Sequence, residues 1–409
     1  MQSSFTTSGI IFPQQTPLED HLVPKVREAM KITNIECYPV WGGHRNFLFV
    51  VVDTDAGIYG VGEAGITGRE LAVMGAVEHF KPLLIGQDPS RIEHIWQMLS
   101  RGGFFPAQRI LTSAISAIDI ALWDIKGKAL NVPIYDLLGG RVRDKVVCYP
   151  HNYGGHATEI SPLVESCLQT KEEGWKFVRY GMPQSGDLID PRQSVRIAIR
   201  QMQAIREAVG EDIEITFDAH TRIDLPEAVW LCRETEPLHP YFIEDPLRSE
   251  NPDSFKTLRS RTAVPLAAGE QFCSKWEFRQ LIEEEWIDYA RIDLCIVGGF
   301  SEAKKIAGWC ETHYIKLATH NPLGPISSAA CLQLNLACSN FGVQEQPRKP
   351  GTTLTDVVPV QPEWEDGYLL APERPGLGVE FDREAARRSP MRMTELHHLH
   401  LADGSFTNW

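Results

Sequence analysis

Carboxylates and imidazoles recur through the second half of the sequence at a nearly constant interval. Asp218 and His220 stand in TFDAH, Glu244 in YFIEDP, Glu270 in LAAGEQ, Asp293 in ARIDL, His320 in LATHNPLGP and Glu345 in VQEQP. From Asp218 to Glu345 the acidic and imidazole positions follow one another at steps of 23 to 27 residues. Asp218, Glu244 and Glu270 form an all-oxygen ligand set without cysteine, which suits a hard divalent cation such as Mg²⁺. A single acidic residue at a strand end is more often a helix cap or half of an ion pair. Asp245-Pro246 reads that way, as an N-cap followed by proline at the first helical position. Three carboxylates in register, with no lysine or arginine at the adjacent positions, read instead as one metal site.

Asp293 and His320 make a second constellation. They end consecutive apolar runs, so their side chains can meet. A carboxylate bonded to one ring nitrogen fixes the tautomer and raises the basicity of the other, which is the makeup of a general base. A lone histidine is ordinarily a satisfied structural group. This one has an acidic partner and lies opposite the proposed ligands, which favours proton abstraction. His220 stands two residues beyond Asp218 and on an extended strand would face the same side. It could serve as a second acid or base, or pack against the ligands, and the spacing leaves both open.

Each of these groups ends a short apolar run, and most are followed by a helix-like segment. That is the rhythm of a βα unit, and its repetition predicts a parallel barrel whose strand ends converge at one mouth. Lys145–Pro150, ended by His151, is the expected first barrel strand, and Lys176–Tyr180 the second. GMPQSGDLIDPRQ after it reads as a loop over the mouth. Ahead of the barrel, Ile32–Val40, Asn46–Asp53 and Ile58–Glu63 alternate as strands of a meander. Helical periodicity follows over Arg69–Pro82 and Ile92–Ser100, and then through ILTSAISAIDIALWDIKGKALN, ended by Asn131 and Pro133. The small residues Ala114, Ala117 and Ala121 predict close packing of that helix. The expected division is an extension over 1–29, an α+β capping domain over 30–144, a barrel over 145–350, and a segment over 351–409 that returns to the cap. Within that last segment PGLGVEFD reads as a final strand, and the stretch through ELHHLHLADG as a solvated tail whose His397, His398 and His400 could catch a stray transition metal. The first 29 residues read as a peripheral arm, with Met30 opening the patterned region.

The 409 residues, 43% apolar and 23% charged, are those of a globular protein with room for two domains. A net charge of −14 argues against nucleic acid and requires local cations for an anionic substrate. Nine scattered cysteines with no Cys-x-x-Cys pair predict reduced thiols in a cytoplasmic protein, and no apolar run reaches membrane-spanning length.

These residues resemble the enolase superfamily, in its mandelate-racemase-like branch and among its acid-sugar dehydratases. The resemblance runs from Met30 to about Asp382. It rests on the Asp218, Glu244, Glu270 series, the Asp293–His320 pair, HNPLGPISSAA, QEQP, and SAIDIALWDIKGK with LLGG at Leu137–Gly140. The galactonate dehydratases match best, through Asp218-Ala219-His220, the Asp293–His320 dyad and Glu345. The resemblance implies a modified (β/α)7β TIM-type barrel under an α+β cap, and a homo-oligomer. It also implies Mg²⁺-dependent dehydration of a hexonate such as galactonate, gluconate or mannonate to a 2-keto-3-deoxy acid through an ene-diolate. In that scheme Asp218, Glu244 and Glu270 hold the metal, His320 held by Asp293 takes the α-proton, and His220 protonates the leaving hydroxyl. Glu345 serves the oxyanion side, and Arg179, His151 and Arg45 are expected to bind substrate. Many relatives carry a lysine where this chain has Arg179. A guanidinium keeps its proton, so Arg179 is expected to bind and not to abstract. Arg179 also resembles the mannonate dehydratases, but no tyrosine follows in the loop after it. WGGHRN with Arg45 and GGFFPAQR with Phe104 and Arg109 are candidate substrate-facing loops, although a Phe pair more often fills core. Two other functions fit the same residues: racemisation or epimerisation of an α-hydroxy acid, and a non-catalytic metal-binding scaffold.

Overall fold

The structure, a computed structural model, describes residues 30–152 and 156–409. The arm expected over 1–29 lies outside them. The chain opens with an antiparallel sheet of β1 (Ile32–Trp41), β2 (Asn46–Thr54) and β3 (Tyr59–Ala64), followed by helices α1 (Glu70–Leu84), α2 (Ile92–Arg101) and α3 (Arg109–Leu130) and the short α4 (Ile134–Leu137). β3 can lie hard against α3 because Gly60 and Gly62 face the carbonyls of Ala121 and Ala117, where any Cβ would collide with backbone. The small residues of α3 therefore do the packing expected of them. Asn131 ends the helix at φ 57°, a left-handed cap that asparagine tolerates.

Eight parallel strands then alternate with seven helices. They are β4 (Lys145–Tyr149), α5 (Ser161–Glu172), β5 (Phe177–Gly181), α6 (Pro191–Val209), β6 (Glu214–Asp218), α7 (Leu225–Thr235), β7 (Phe242–Glu244), α8 (Asp253–Arg259), β8 (Leu266–Ala268), α9 (Lys275–Glu283), β9 (Tyr289–Ala290), α10 (Gly299–Thr312), β10 (Lys316–Thr319), α11 (Pro325–Ala337) and β11 (Phe341–Glu345). Parallel ladders join β5 through β11 in chain order, and β11 pairs with β4. The ring closes where Asn152, just past β4, accepts from the Arg179 amide through Oδ1 at 2.9 Å. This is the (β/α)7β barrel with an α+β cap. Its strands are buried on both faces, so they read as unbroken apolar runs. The chain ends through β12 (Trp364–Glu365), β13 (Tyr368–Leu370), which adds antiparallel to β4, and α12 (Arg383–Arg388).

PGLGVEFD is not a strand. Gly376 and Gly378 lie at φ 69° and 82° and bend the chain, and Leu377 N–H donates instead to buried Asp124 Oδ1 on α3 at 2.9 Å. The 396–409 segment is not a free tail. His400 N–H donates to Asp187 O at 2.9 Å and Ile189 N–H to His400 O at 3.1 Å, so the segment pairs with the loop after β5. His397 lies 2.6 Å from Asp187, and among the described residues the three histidines do not gather as a set of metal ligands.

The cap holds two barrel segments. On α3, Asp119 accepts from Ser301 N–H at 3.1 Å and from the Ser301 hydroxyl at the start of α10, and Ser116 Oγ accepts from Gly298 N–H at 2.8 Å. The Asp119 carboxyl comes so close to Gly299, at φ 71°, that no other residue fits there. On β3, Glu63 accepts from the amides of Gly324 at 2.8 Å and Ser327 at 2.9 Å, at the start of α11. Burial pushes its carboxyl up to about 7. Asp293 precedes α10 and His320 precedes α11, so the cap orients both. Asp119→Ala strands two buried donors of Ser301, and we expect urea unfolding to show a loss of about 1–3 kcal/mol.

Candidate active site

The strand ends converge on a cavity of about 710 Å³ lined by Arg45, Arg109, His151, Arg179, Asp218, His220, Glu270, Asp293, His320 and Glu345. Glu244 is fully buried beneath it. Among the described residues, the carboxylates whose oxygens gather within 4.8 Å of one another belong to Glu244, Asp245 and Glu270. Asp218 pairs in register with Glu244 across β6 and β7. Its Oδ2 is held by the Arg179 guanidinium and its Oδ1 accepts from His220 N–H at 2.6 Å.

Asp245 is not a helix cap. Its backbone stands at φ 38°, no helix begins before Asp253, and the side chain turns inward, with Oδ2 buried and unpartnered. Burial raises the carboxyls of Glu244 and Glu270 well above the usual range; Arg291 chiefly opposes this at Glu244 and His320 at Glu270, and the neighbouring carboxylates add to it. Clustered buried carboxylates with an orphaned oxygen are short of positive charge, and an oxygen-only donor set matches a hard divalent cation. The residues fit such an ion.

Besides Arg179 on Asp218, positive charge already present comes from Arg291, which has no place in the recurring interval. Its guanidinium is fully buried and donates to Glu244 Oε1 at 2.7 Å, Glu345 Oε2 at 2.6 Å and the Tyr149 hydroxyl at 2.6 Å. Arg179 is expected at the mouth, whereas Arg291 adds a second guanidinium against Glu244 and Glu270.

His320 Nδ1 lies 2.7 Å from Asp293 Oδ2, and Asp293 Oδ1 accepts from Cys295 N–H at 2.7 Å, so the carboxylate is fixed at both oxygens. His320 Nε2 points into the carboxylate cluster, 3.4 Å from Glu270 Oε2 and 3.9 Å from Glu345 Oε2. Burial works against its charged form, but Glu270, Glu345 and Asp293 outweigh it and hold the imidazole above its ordinary pKa. A cation held by Glu270 would take up part of that negative charge and leave Nε2 freer to accept a proton.

His220 does not continue the strand. It and Thr221 stand at φ 54° and 57°, so the chain turns left-handed immediately after Asp218. The side chain nevertheless reaches the cavity. Burial, with Arg222 and Arg179 nearby, pushes it down to about 3 against the pull of Asp218. His151 Nε2 lies 2.5 Å from Glu345 Oε1, and burial with Arg179 pushes it down to about 4. Arg45 donates to Pro322 O at 2.6 Å and to the Thr67 hydroxyl. Tyr180 points away from the cavity and donates to Ala198 O at 3.0 Å under α6. Arg109 lines the cavity but pairs with Glu277 at 3.3 Å. Phe104 and Phe105, 94% and 80% exposed, are in neither the cavity nor the core. The loop 182–190 does not line the cavity either; Leu396 and Trp409 from the C-terminal segment do.

Comparison with known proteins sets this geometry in context. Residues 163–385 match the family described as enolase C-terminal domain-like, and residues 41–139 match the N-terminal domain of mandelate racemase and muconate lactonizing enzyme. A D-galactonate dehydratase of Klebsiella pneumoniae is 39% identical over 390 residues, covering 93% of this chain and 100% of its own. A D-galactonate dehydratase family member of Halomonas elongata is 36% identical, over 89% of this chain and 96% of its own. The crystal structure of an enolase from Pantoea ananatis with bound D-gluconate and Mg superposes with a TM-score of 0.87, at 31% identity, over 92% of this chain and 99% of that one.

Proposed function

Because the chain belongs to the enolase superfamily, in its mandelate racemase and muconate lactonizing branch, we propose that it dehydrates a hexonate such as galactonate, gluconate or mannonate to a 2-keto-3-deoxy acid. One observation carries this reading. A carboxylate-held imidazole and a second imidazole share the wall of a cavity with Glu270, and buried Glu244 and Asp245 complete a carboxylate cluster beside it. Relatives named as D-galactonate dehydratases and a solved neighbour holding D-gluconate and Mg support the substrate class and the ion.

Asp218, Glu244 and Glu270, with Asp245 beside them, would hold Mg²⁺, which as a Lewis acid stabilises the developing ene-diolate. His320 takes the α-proton on Nε2, because Asp293 holds Nδ1 and keeps that nitrogen the basic one. The ene-diolate then expels the 3-hydroxyl, which leaves as water with a proton delivered from His220. The enol tautomerises to the 2-keto acid. Glu345 is committed to Arg291, His151 and the Asn321 amide at 3.0 Å, so it acts by orienting those donors at the oxyanion side. Arg179, tied to Asp218, stays charged and binds without abstracting a proton. Arg45 and His151 complete the polar wall toward the substrate.

The test is a screen of six-carbon aldonates and aldarates with Mg²⁺, read by semicarbazide detection of 2-keto acids. One hexonate is expected to give product. A C2 epimer without 2-keto acid would replace the dehydratase reading with epimerisation. Tight Mg²⁺ binding with no turnover of any acid would favour the scaffold.

A further inference from the structure

The segment 396–409 ends on a side chain that no step above uses. Trp409 lines the same cavity as His220, Glu270 and His320. Its ring centroid lies 4.7 Å from that of His220, tilted by 53°, and the Arg222 guanidinium stands over it at 5.3 Å. Its carbonyl accepts from the Thr221 hydroxyl, and Asn408 Nδ2 donates to Asp224 Oδ1 at 2.9 Å. The approach to it is a folded hairpin, with Leu401 N–H on Ser405 O at 2.8 Å, Thr407 N–H on Leu399 O at 3.1 Å, and Leu399 buried. Trp409 is thus fixed in place, and both sides of the contact are anchored to the turn that carries His220.

Two polar atoms at this contact lack partners. Trp409 Nε1 and His220 Nδ1 are both buried without a hydrogen bond. Buried tryptophan N–H groups and imidazole nitrogens ordinarily find partners, and a pair of unmet ones on the wall of a substrate cavity marks where polar groups of a ligand belong. His220 has no carboxylate on its ring of the kind Asp293 gives His320. Its ring is bounded instead by Trp409 and by His156, whose centroid is 6.0 Å away.

We infer that Trp409 is a substrate-binding and positioning residue: its indole N–H donates to a hydroxyl of the sugar acid, and its ring holds the His220 imidazole toward the leaving group. The inference rests on the dehydratase reading, the first role on its substrate class and the second on its reaction. Trp409→Phe keeps an aromatic face and loses the N–H. Trp409→Ala loses both. Thermal unfolding first establishes that each variant is folded. With D-gluconate and D-galactonate as probes in the presence of Mg²⁺, calorimetry and steady-state kinetics are expected to show Trp409→Phe weakening binding and raising KM by about 3- to 10-fold, with kcat little changed. Trp409→Ala is expected to lower kcat for dehydration as well, while exchange of the substrate α-proton with solvent deuterium, which depends on His320, continues. Unchanged affinity in Trp409→Phe, or equal loss of exchange and dehydration in Trp409→Ala, overturns the inference. If the wild type binds a hexonate but dehydrates none, the activity falls while the affinity comparison still decides the binding role. If it binds neither probe, both fall.

Discussion

Glu244→Gln is expected to yield a folded protein with at least about 10³-fold lower turnover and no gain in stability from Mg²⁺. The amide is nearly isosteric with the carboxylate. It can still accept the Arg291 contact at 2.7 Å and stay near the Tyr149 hydroxyl at 3.3 Å, so the change removes a charge and little else. In the wild type that charge sits in a desolvated cluster with Asp245 and Glu270. A cation that binds the native cluster and not the unfolded chain raises the unfolding temperature as its concentration rises. Wild-type protein should therefore show a Mg²⁺-dependent midpoint that EDTA reverses, and Glu244→Gln should show a flat one. Without metal the variant should unfold close to the wild type, because relief of the buried like-charge repulsion offsets the weakened ion pair with Arg291. An unchanged Mg²⁺ response in the variant would place the ion elsewhere.

How much of this could be read from the residues differs from part to part, for physical reasons. A parallel strand buried on both faces is a short apolar run, and the polar group that ends it stands out, so the barrel and the positions of Asp218, Glu244, Glu270, Asp293, His320 and Glu345 were visible in the spacing. An acidic residue before proline is the ordinary mark of a helix start, so Asp245 reads as a cap, and only the left-handed backbone at φ 38° turns it inward. Arg291 gives no signal in the spacing because it follows a strand of only two residues, Tyr289–Ala290, too short to show alternation. His220 reaches the cavity as expected but by another route, through a left-handed turn. The 396–409 segment is polar and carries no period, since its order comes from pairing with the distant loop at Asp187–Ile189; long-range pairing of this kind leaves no local pattern. The same holds for the cap's grip on Ser301 and Ser327, made by residues about 180 and 260 positions earlier in the chain.

The two histidines should separate the reaction into its halves. His320→Asn is expected to abolish both dehydration and exchange of the substrate α-proton with solvent deuterium, each by about 10²–10⁴-fold, the usual contribution of a positioned acid or base. Asparagine can keep a hydrogen bond to Asp293 but cannot take a proton, so packing near Cys295 and Glu345 should survive. His220→Asn is expected to suppress dehydration by a similar factor while leaving exchange running. The ene-diolate still forms at His320 and, with no proton delivered to the leaving hydroxyl, returns to substrate carrying deuterium. The environments of the two rings differ. His320 is held above its ordinary pKa by Glu270, Glu345 and Asp293 against its burial, and a cation on Glu270 would lower it toward the unprotonated form that accepts the α-proton. His220 is pushed down to about 3 by burial with Arg222 and Arg179, so it rests unprotonated, and its acid role requires the bound substrate anion to raise it or to supply the proton. Deuterium incorporation followed by NMR, alongside 2-keto acid formation, reads both halves in one sample. Retained dehydration in His320→Asn would remove it as the base. Tyr180 is no substitute, because its hydroxyl is turned to Ala198 O outside the cavity. Loss of exchange in His220→Asn would mean that the two imidazoles work in one step and not in two.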